Sequence, residues 1–250
     1  METTELIASL AREGELLALA AERAGSDAPV PTCPGWRTRD LVRHVSRVHR
    51  WAGTLVAERH ASYVPDSGDP DLDGDALVRH YREGLALLVA ALTEAPDDLE
   101  CWTFLPADGA RAFWARRQHH ETTVHRVDAE SALAPVGAAT PVAPALAADG
   151  IDELLLSFHG RERSRVRTAA PRTLRVRATD TGDAWTARLS PDAPPVTARG
   201  EEGTADCELS GTAHDLYLYL WNRLPADALK PAGDAEVVRT WRETSAVTWS

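Results

Sequence analysis

Lysine is nearly missing from this chain of 250 residues: of its 27 basic side chains only Lys230 is a lysine. With abundant alanine, that bias points to GC-rich codons and an actinobacterial kind of genome, and it says little about fold. Cysteine is scarce as well. Cys33, Cys101 and Cys207 are an odd number, widely spaced and without a CxxC pair, which argues against a disulfide framework and a thiolate zinc site. No apolar run approaches the roughly 20 residues that cross a bilayer. The first residues, Met1-Glu2-Thr3-Thr4-Glu5, carry acids where an export signal carries bases. The expectation is a cytoplasmic protein without a membrane partner. Positive charge is in deficit too: the net charge of −11 gives no overall attraction to nucleic acid, which is not an expected partner. Arg37, Arg39, Arg43, Arg47 and Arg50 form only a local basic cluster in an acidic chain.

A hydrophobic content of 44% is enough for a real core. In the first half the apolar residues recur at helical spacing. Leu6, Leu10, Leu16, Leu17 and Ala20 predict a helix over 4–23, ended by Gly25-Ser26-Asp27. After a loop stiffened by Pro29, Pro31 and Pro34, Thr38 as N-cap and Asp40 in the first turn start a second helix, running to about Arg59. It is expected to bury Leu41, Val45, Val48, Ala52 and Leu55. Further helices are expected over 73–93, 110–133 and 144–158. Beyond Gly160 short alternating segments at 173–178, 184–189, 196–199 and 205–209 predict a small antiparallel sheet, with helices over 214–223 and 236–244. The expected fold class is α+β: an up-and-down four-helix bundle over 1–160, then a small α+β domain over 161–250.

One segment of the fourth helix carries chemistry. It reads His119-His120-Glu121-Thr122-Thr123-Val124-His125-Arg126-Val127-Asp128, so Glu121 and His125, four apart, share a face. Glu121 lies seven residues after Trp114 and three before Val124, on the buried stripe, where a carboxylate is costly unless it is paired or holds a cation. In the second helix His44, three residues after Leu41, also points inward. Two facing helices can bring an imidazole, a carboxylate and a second imidazole to one point and hold a divalent metal. A Glu-xxx-His pair is also a common intrahelical contact, so the spacing alone leaves both readings open.

Val30-Pro31-Thr32-Cys33-Pro34-Gly35-Trp36, then Asp40-Leu41-Val42-Arg43-His44-Val45, then Glu121-Thr122-Thr123-Val124-His125-Arg126-Val127-Asp128-Ala129-Glu130, resemble the mycothiol-dependent maleylpyruvate isomerase family, part of the DinB-like superfamily of four-helix metalloproteins. The resemblance covers nearly the whole chain. It implies that His44, Glu121 and His125 are metal ligands, that the metal is zinc, and that the cofactor is mycothiol, whose thiol the metal holds as a thiolate. It also implies a sterol-carrier-like C-terminal domain. The reaction it implies is thiolate addition to a cis double bond, rotation and expulsion of the thiol. The expected function is therefore metal-dependent isomerisation or S-transfer on a small electrophile, with the thiol and that electrophile as partners. The other reading is a non-catalytic protein with a structural or sensing metal and a small bound ligand.

The remaining polar residues have plainer roles. His49, five residues after His44, is expected at the rim; His119 and His120 lie off the Glu121 stripe. Asp128, three residues after His125, can orient that imidazole or pair with an arginine. Asp40 reads as a first-turn acid and Cys33 as structural. Arg223, after Tyr217-Leu218-Tyr219-Leu220-Trp221, is the expected cofactor-binding cation, gripping a carboxylate of the thiol or substrate; an ordinary helix-end arginine is the alternative.

Overall fold

A computed structural model describes residues 1–246, and the chain divides into two compact units, Met1–Thr140 and the remainder from Pro141. The first unit holds four long helices: α1 (Thr3–Ala24), α2 (Thr38–Ala57), α3 (Gly74–Glu94) and α4 (Ala110–Ser131), then a short 3₁₀ turn at Val136–Ala138. Local chemistry sets their starts. The Asp40 carboxylate accepts from the backbone N–H of Arg37 at 2.8 Å, so the N-cap of α2 is Arg37, one residue before the expected Thr38. Asp73 caps α3 by accepting from the N–H of Gly74 at 2.7 Å.

The helices pack α1 against α3 and α4, and α2 against α3 and α4. Leu10, Leu17, Leu41, Val45, Leu77 and Leu88 fill the seam. At Gly14 α1 and α3 come so close that a Cβ would lie 2.4 Å from Leu85 Cδ2, and beside it the Tyr81 hydroxyl donates to the Gly14 carbonyl at 3.0 Å. One end of the bundle is closed by Trp51, Tyr63, Trp102, Phe104, Phe113 and Trp114, packed largely edge to face. The indoles are satisfied there: Trp51 Nε1 donates to the Val64 carbonyl at 2.7 Å and Trp114 Nε1 to the Trp102 carbonyl at 2.9 Å.

Helix α4 departs from the usual amphipathic pattern. Every residue from Arg117 to Ala129 is buried, yet most are polar or charged. Such a helix is tolerable only if its polar groups find partners. Arg126 is the clearest case: Nε donates to Glu13 at 2.8 Å, and Nη1 to Glu130 at 2.8 Å and to the Thr140 carbonyl at 2.6 Å. One guanidinium thus ties α1, α4 and the segment after it.

The second unit opens with α5 (Pro144–Asp152), which widens into a π-helical turn at Glu153–Phe158. Sequence periodicity places this helix with the bundle; the structure groups it with the sheet. It packs on α6 (Ala213–Leu220), and Asp152 accepts from Trp185 Nε1 at 3.1 Å and from Arg199 Nε at 2.9 Å. An alanine-rich helix gives no sign in its own pattern of which core it will join. The strands are β1 (Arg172–Ala178), β2 (Ala184–Leu189), β3 (Val196–Arg199), β4 (Cys207–Gly211) and β5 (Ala232–Gly233), in the order β3-β2-β1-β4-β5. The sheet is mixed, where an antiparallel one was expected, because β4 crosses back to the free edge of β1 and runs parallel to it. Alternation marks a strand's faces and not its direction. Helix α7 (Ala235–Thr244) follows β5. Among the described residues no helix is long and apolar enough to cross a membrane.

Replacing Arg126 by methionine leaves Glu13 and Glu130 without their shared cation in a buried site, at an expected cost of about 3–5 kcal/mol. Denaturant unfolding followed by circular dichroism measures it. A loss below about 1 kcal/mol, the range of a surface pair, would contradict this role.

Candidate metal centre

Helices α2 and α4 bring His44, Glu121 and His125 together. The Oε1 atom of Glu121 stands 3.4 Å from His44 Nε2 and 3.3 Å from His125 Nε2, and the three donor atoms lie within 4.8 Å of one another. Both separations are long for a hydrogen bond. They match the edge of a tetrahedron whose centre lies about 2.0–2.1 Å from each corner, an edge of about 3.3 Å, which is how nitrogen and oxygen ligands stand around zinc. All three side chains are buried. The donor set therefore fits a divalent metal of borderline softness.

Each of the three is held by a further group. Asp128 Oδ2 is 2.8 Å from His125 Nδ1, which directs Nε2 of that ring at the centre, the orienting role being one of the two that the spacing left open for Asp128. Arg117 Nη2 donates to Glu121 Oε2 at 3.2 Å, so one carboxylate oxygen is occupied and the other faces the imidazoles. Arg47 Nη2 stands 3.2 Å from His44 Nδ1. The ring of Trp36 meets His44 edge-on at 5.2 Å, and the His44 and His125 rings meet at 5.0 Å.

Burial pushes the Glu121 carboxyl up, but the imidazoles of His125 and His44 and the Arg117 guanidinium outweigh it and hold it well below the usual range. Burial lowers His125, while Asp128 and Glu121 more than compensate and raise it to about 9. Hydrogen-bond donors from α2 and α4 thus gather on the Glu121 carboxylate.

Several residues stand elsewhere than expected. His49 is fully buried instead of lying at the rim: Nε2 bonds Thr122 Oγ1 at 2.8 Å and its ring packs 5.4 Å from Tyr81. Its angle was reckoned from His44, whereas the centre of the buried face is Val45, four residues before it; Val48 is only half-buried. His119 and His120 are buried and belong to no ligand group among the described residues. Cys33 lies near the centre, its sulfur within 4.8 Å of His125 Nδ1 or Nε2 and an Asp128 oxygen. Nothing in the spacing of residue 33 from 125 signals that approach. Of the basic cluster, Arg39 pairs with Asp27 at 2.6 Å, Arg43 donates twice to the Leu72 carbonyl, and Arg50 donates to the His80 carbonyl at 2.9 Å.

Arg223 belongs to the second unit. It follows the end of α6 and Asn222, whose φ is +59°, and its Nη1 donates to the Trp221 carbonyl at 2.9 Å. With Leu154, Leu220, Ser245 and neighbouring residues it lines a cavity of about 60 Å³, room for little more than water.

Fold and site together define a helical-bundle protein with a buried cluster of two histidines and a glutamate able to hold a divalent metal, followed in the chain by an α+β domain. A model of the mycothiol maleylpyruvate isomerase N-terminal domain matches residues 7–130 and one of the MDMPI C-terminal domain matches residues 145–240; the chain belongs to this family. A crystal structure of mycothiol-dependent maleylpyruvate isomerase superposes with a TM-score of 0.63 at 16% identity over 93% of each chain. A histidine-to-alanine mutant of that enzyme superposes with a TM-score of 0.63 at 15% identity, again over 93% of each. At such identity the likeness is one of fold. No curated protein sequence matches the chain significantly.

Burial depresses His49 to about 3, so it stays neutral in the fold while the unfolded chain takes up a proton near 6.5. Its contribution is complete above pH 6.5 and is lost as pH falls toward 3, by about 1.4 kcal/mol per pH unit. His159, depressed to about 4 by burial, acts in the same direction. Unfolding free energies at pH 7.5 and 5 should therefore converge for His49→Gln relative to the wild type. An unchanged pH slope would show that His49 is protonated in the folded protein.

Proposed function

We propose that this protein is a zinc-dependent, mycothiol-using enzyme that isomerises a small electrophilic substrate or joins the thiol to it through sulfur. The observation that carries the proposal is the donor set: two imidazoles, each at tetrahedral edge distance from one carboxylate oxygen, with no fourth His, Cys, Asp or Glu donor within 4.8 Å of all three among the described residues. Structural zinc takes four protein ligands, while catalytic zinc takes three and leaves a position for an external group. That difference favours the enzyme over a protein that merely stores or senses a metal.

His44, Glu121 and His125 would hold the ion. When bound, it supplies the Lewis acidity that keeps a cofactor thiol ionised at neutral pH, and the thiol supplies a nucleophile able to add to an activated double bond and leave again. Asp128 takes the Nδ1–H of His125 and so keeps its Nε2 lone pair on the centre. Arg117 holds Oε2 of Glu121, which limits the carboxylate to one coordinating oxygen. Arg223 is the proposed grip for a carboxylate of the thiol or substrate; its loss should raise KM and leave the metal content unchanged.

The test is turnover of a cis-configured unsaturated oxo acid, and of a simple electrophile, with and without mycothiol. Activity should require the thiol and vanish on chelation and in His125→Ala. Asp128→Asn should keep the ligands but weaken zinc by roughly 10–100-fold, measured by competition with a chromogenic chelator. Full activity in His125→Ala, or in the chelated protein, would end the proposal.

A further inference from the structure

A second group of donors overlaps the centre. Cys33 Sγ, a ring nitrogen of His125 and a carboxylate oxygen of Asp128 lie within 4.8 Å of one another, the cysteine half-buried and the other two buried. A tetrahedral ion bound by sulfur at about 2.3 Å and by nitrogen or oxygen at about 2.0–2.1 Å has edges from sulfur of about 3.6 Å. Edges of that size fit within the span of the group.

The sulfur is held there by its backbone. Cys33 N–H donates to the Val30 carbonyl at 3.0 Å, its own carbonyl accepts from Trp36 N–H at 2.9 Å, and Pro29 pairs with Arg37 to close the loop. The loop is also tied to α4. Ser131 Oγ donates to the Asp128 carbonyl at 2.6 Å, so in the 3.1 Å contact of Ser131 Oγ with Thr32 Oγ1 the threonine is the donor. The residue before Cys33 is therefore anchored on the helical turn that carries Asp128.

Sulfur sets this group apart. His44, Glu121 and His125 offer only nitrogen and oxygen, which suit zinc, whereas a thiolate is the softest donor a side chain supplies and favours softer ions. Both groups need His125.

We infer that Cys33, His125 and Asp128 form a second cation site, selective for thiophilic ions such as copper(I) or cadmium, which shares His125 with the centre on Glu121 so that each site excludes the other. The exclusion rests on the metal centre proposed above; the thiolate site does not. A thiophilic ion then empties the zinc centre by taking His125 and Asp128, without touching His44 or Glu121.

Cadmium is the probe, because it has the charge and filled d shell of zinc and a stronger preference for sulfur. It is titrated into zinc-loaded wild type, Cys33→Ser and Cys101→Ser, following the ultraviolet thiolate-to-cadmium charge-transfer band and the zinc that remains bound. The wild type and Cys101→Ser should show the band and lose zinc as it grows. In Cys33→Ser the band should be absent and cadmium should bind more weakly, by more than the roughly tenfold that loss of an outer-shell partner costs, while zinc affinity and circular dichroism match the wild type. Cadmium-edge X-ray absorption of the wild type, which needs no variant, should show one sulfur neighbour. No sulfur neighbour, a band that survives in Cys33→Ser, or cadmium and zinc held together by one protein molecule would overturn the inference. A wild type that shows the cadmium band but binds no zinc would sink the centre on Glu121 and leave the thiolate site standing.

Discussion

A carboxylate buried between two imidazoles is the constraint on which the rest of the first unit depends. Glu121 lies in the middle of a helix that is buried from Arg117 to Ala129, where an isolated negative charge would cost several kcal/mol. The surrounding groups all answer it: His44 and His125 at Oε1, Arg117 at Oε2, and Asp128 behind His125. The same helix needs Arg126 to be met by Glu13 and Glu130, which fixes α1 against α4. A polar helix can be central in a small bundle only when its charges close on one another or on an ion. Replacing such a network with apolar residues would often stabilise a fold, so stability alone does not account for it.

Placement of the centre follows from the helices on either side. His44 and Trp51, and likewise Glu121 and Trp114, are seven residues apart, which sets the aromatic plug about 10 Å from the ligands along both α2 and α4. The plug closes that end with satisfied indoles and rigid rings, and the ligands stand on regular helix and not on loops. Sites carried by such elements hold their geometry better than sites on mobile segments.

Much of this was legible in the amino-acid order. Four-residue spacing put Glu121 and His125 on one face, and the position of His44 after Leu41 pointed it inward, so their convergence was expected from periodicity, while spacing left open whether they hold a metal. The family resemblance added expectations that spacing could not, zinc as the metal and mycothiol as the thiol. His49 was misplaced because a helix face has to be centred on its apolar residues, here Val45 and Ala52, before angles are measured. The nearness of Cys33 to His125 and the contact of Arg47 with His44 depend on loop path and rotamer, which leave no trace in spacing. In the second unit the strands were found by their alternation, but the parallel pairing of β1 with β4 is a matter of topology, and α5 joined the sheet through Asp152.

Two overlapping donor groups could hold a metal: His44, Glu121 and His125, or Cys33, His125 and Asp128. X-ray absorption at the zinc edge, on protein carrying one equivalent of zinc and no added thiol, separates them directly. Two imidazoles and oxygen or nitrogen neighbours at about 2.0–2.1 Å, with no sulfur, is the result expected for the centre built on Glu121. A sulfur neighbour at about 2.3 Å would place the ion on Cys33 and contradict it.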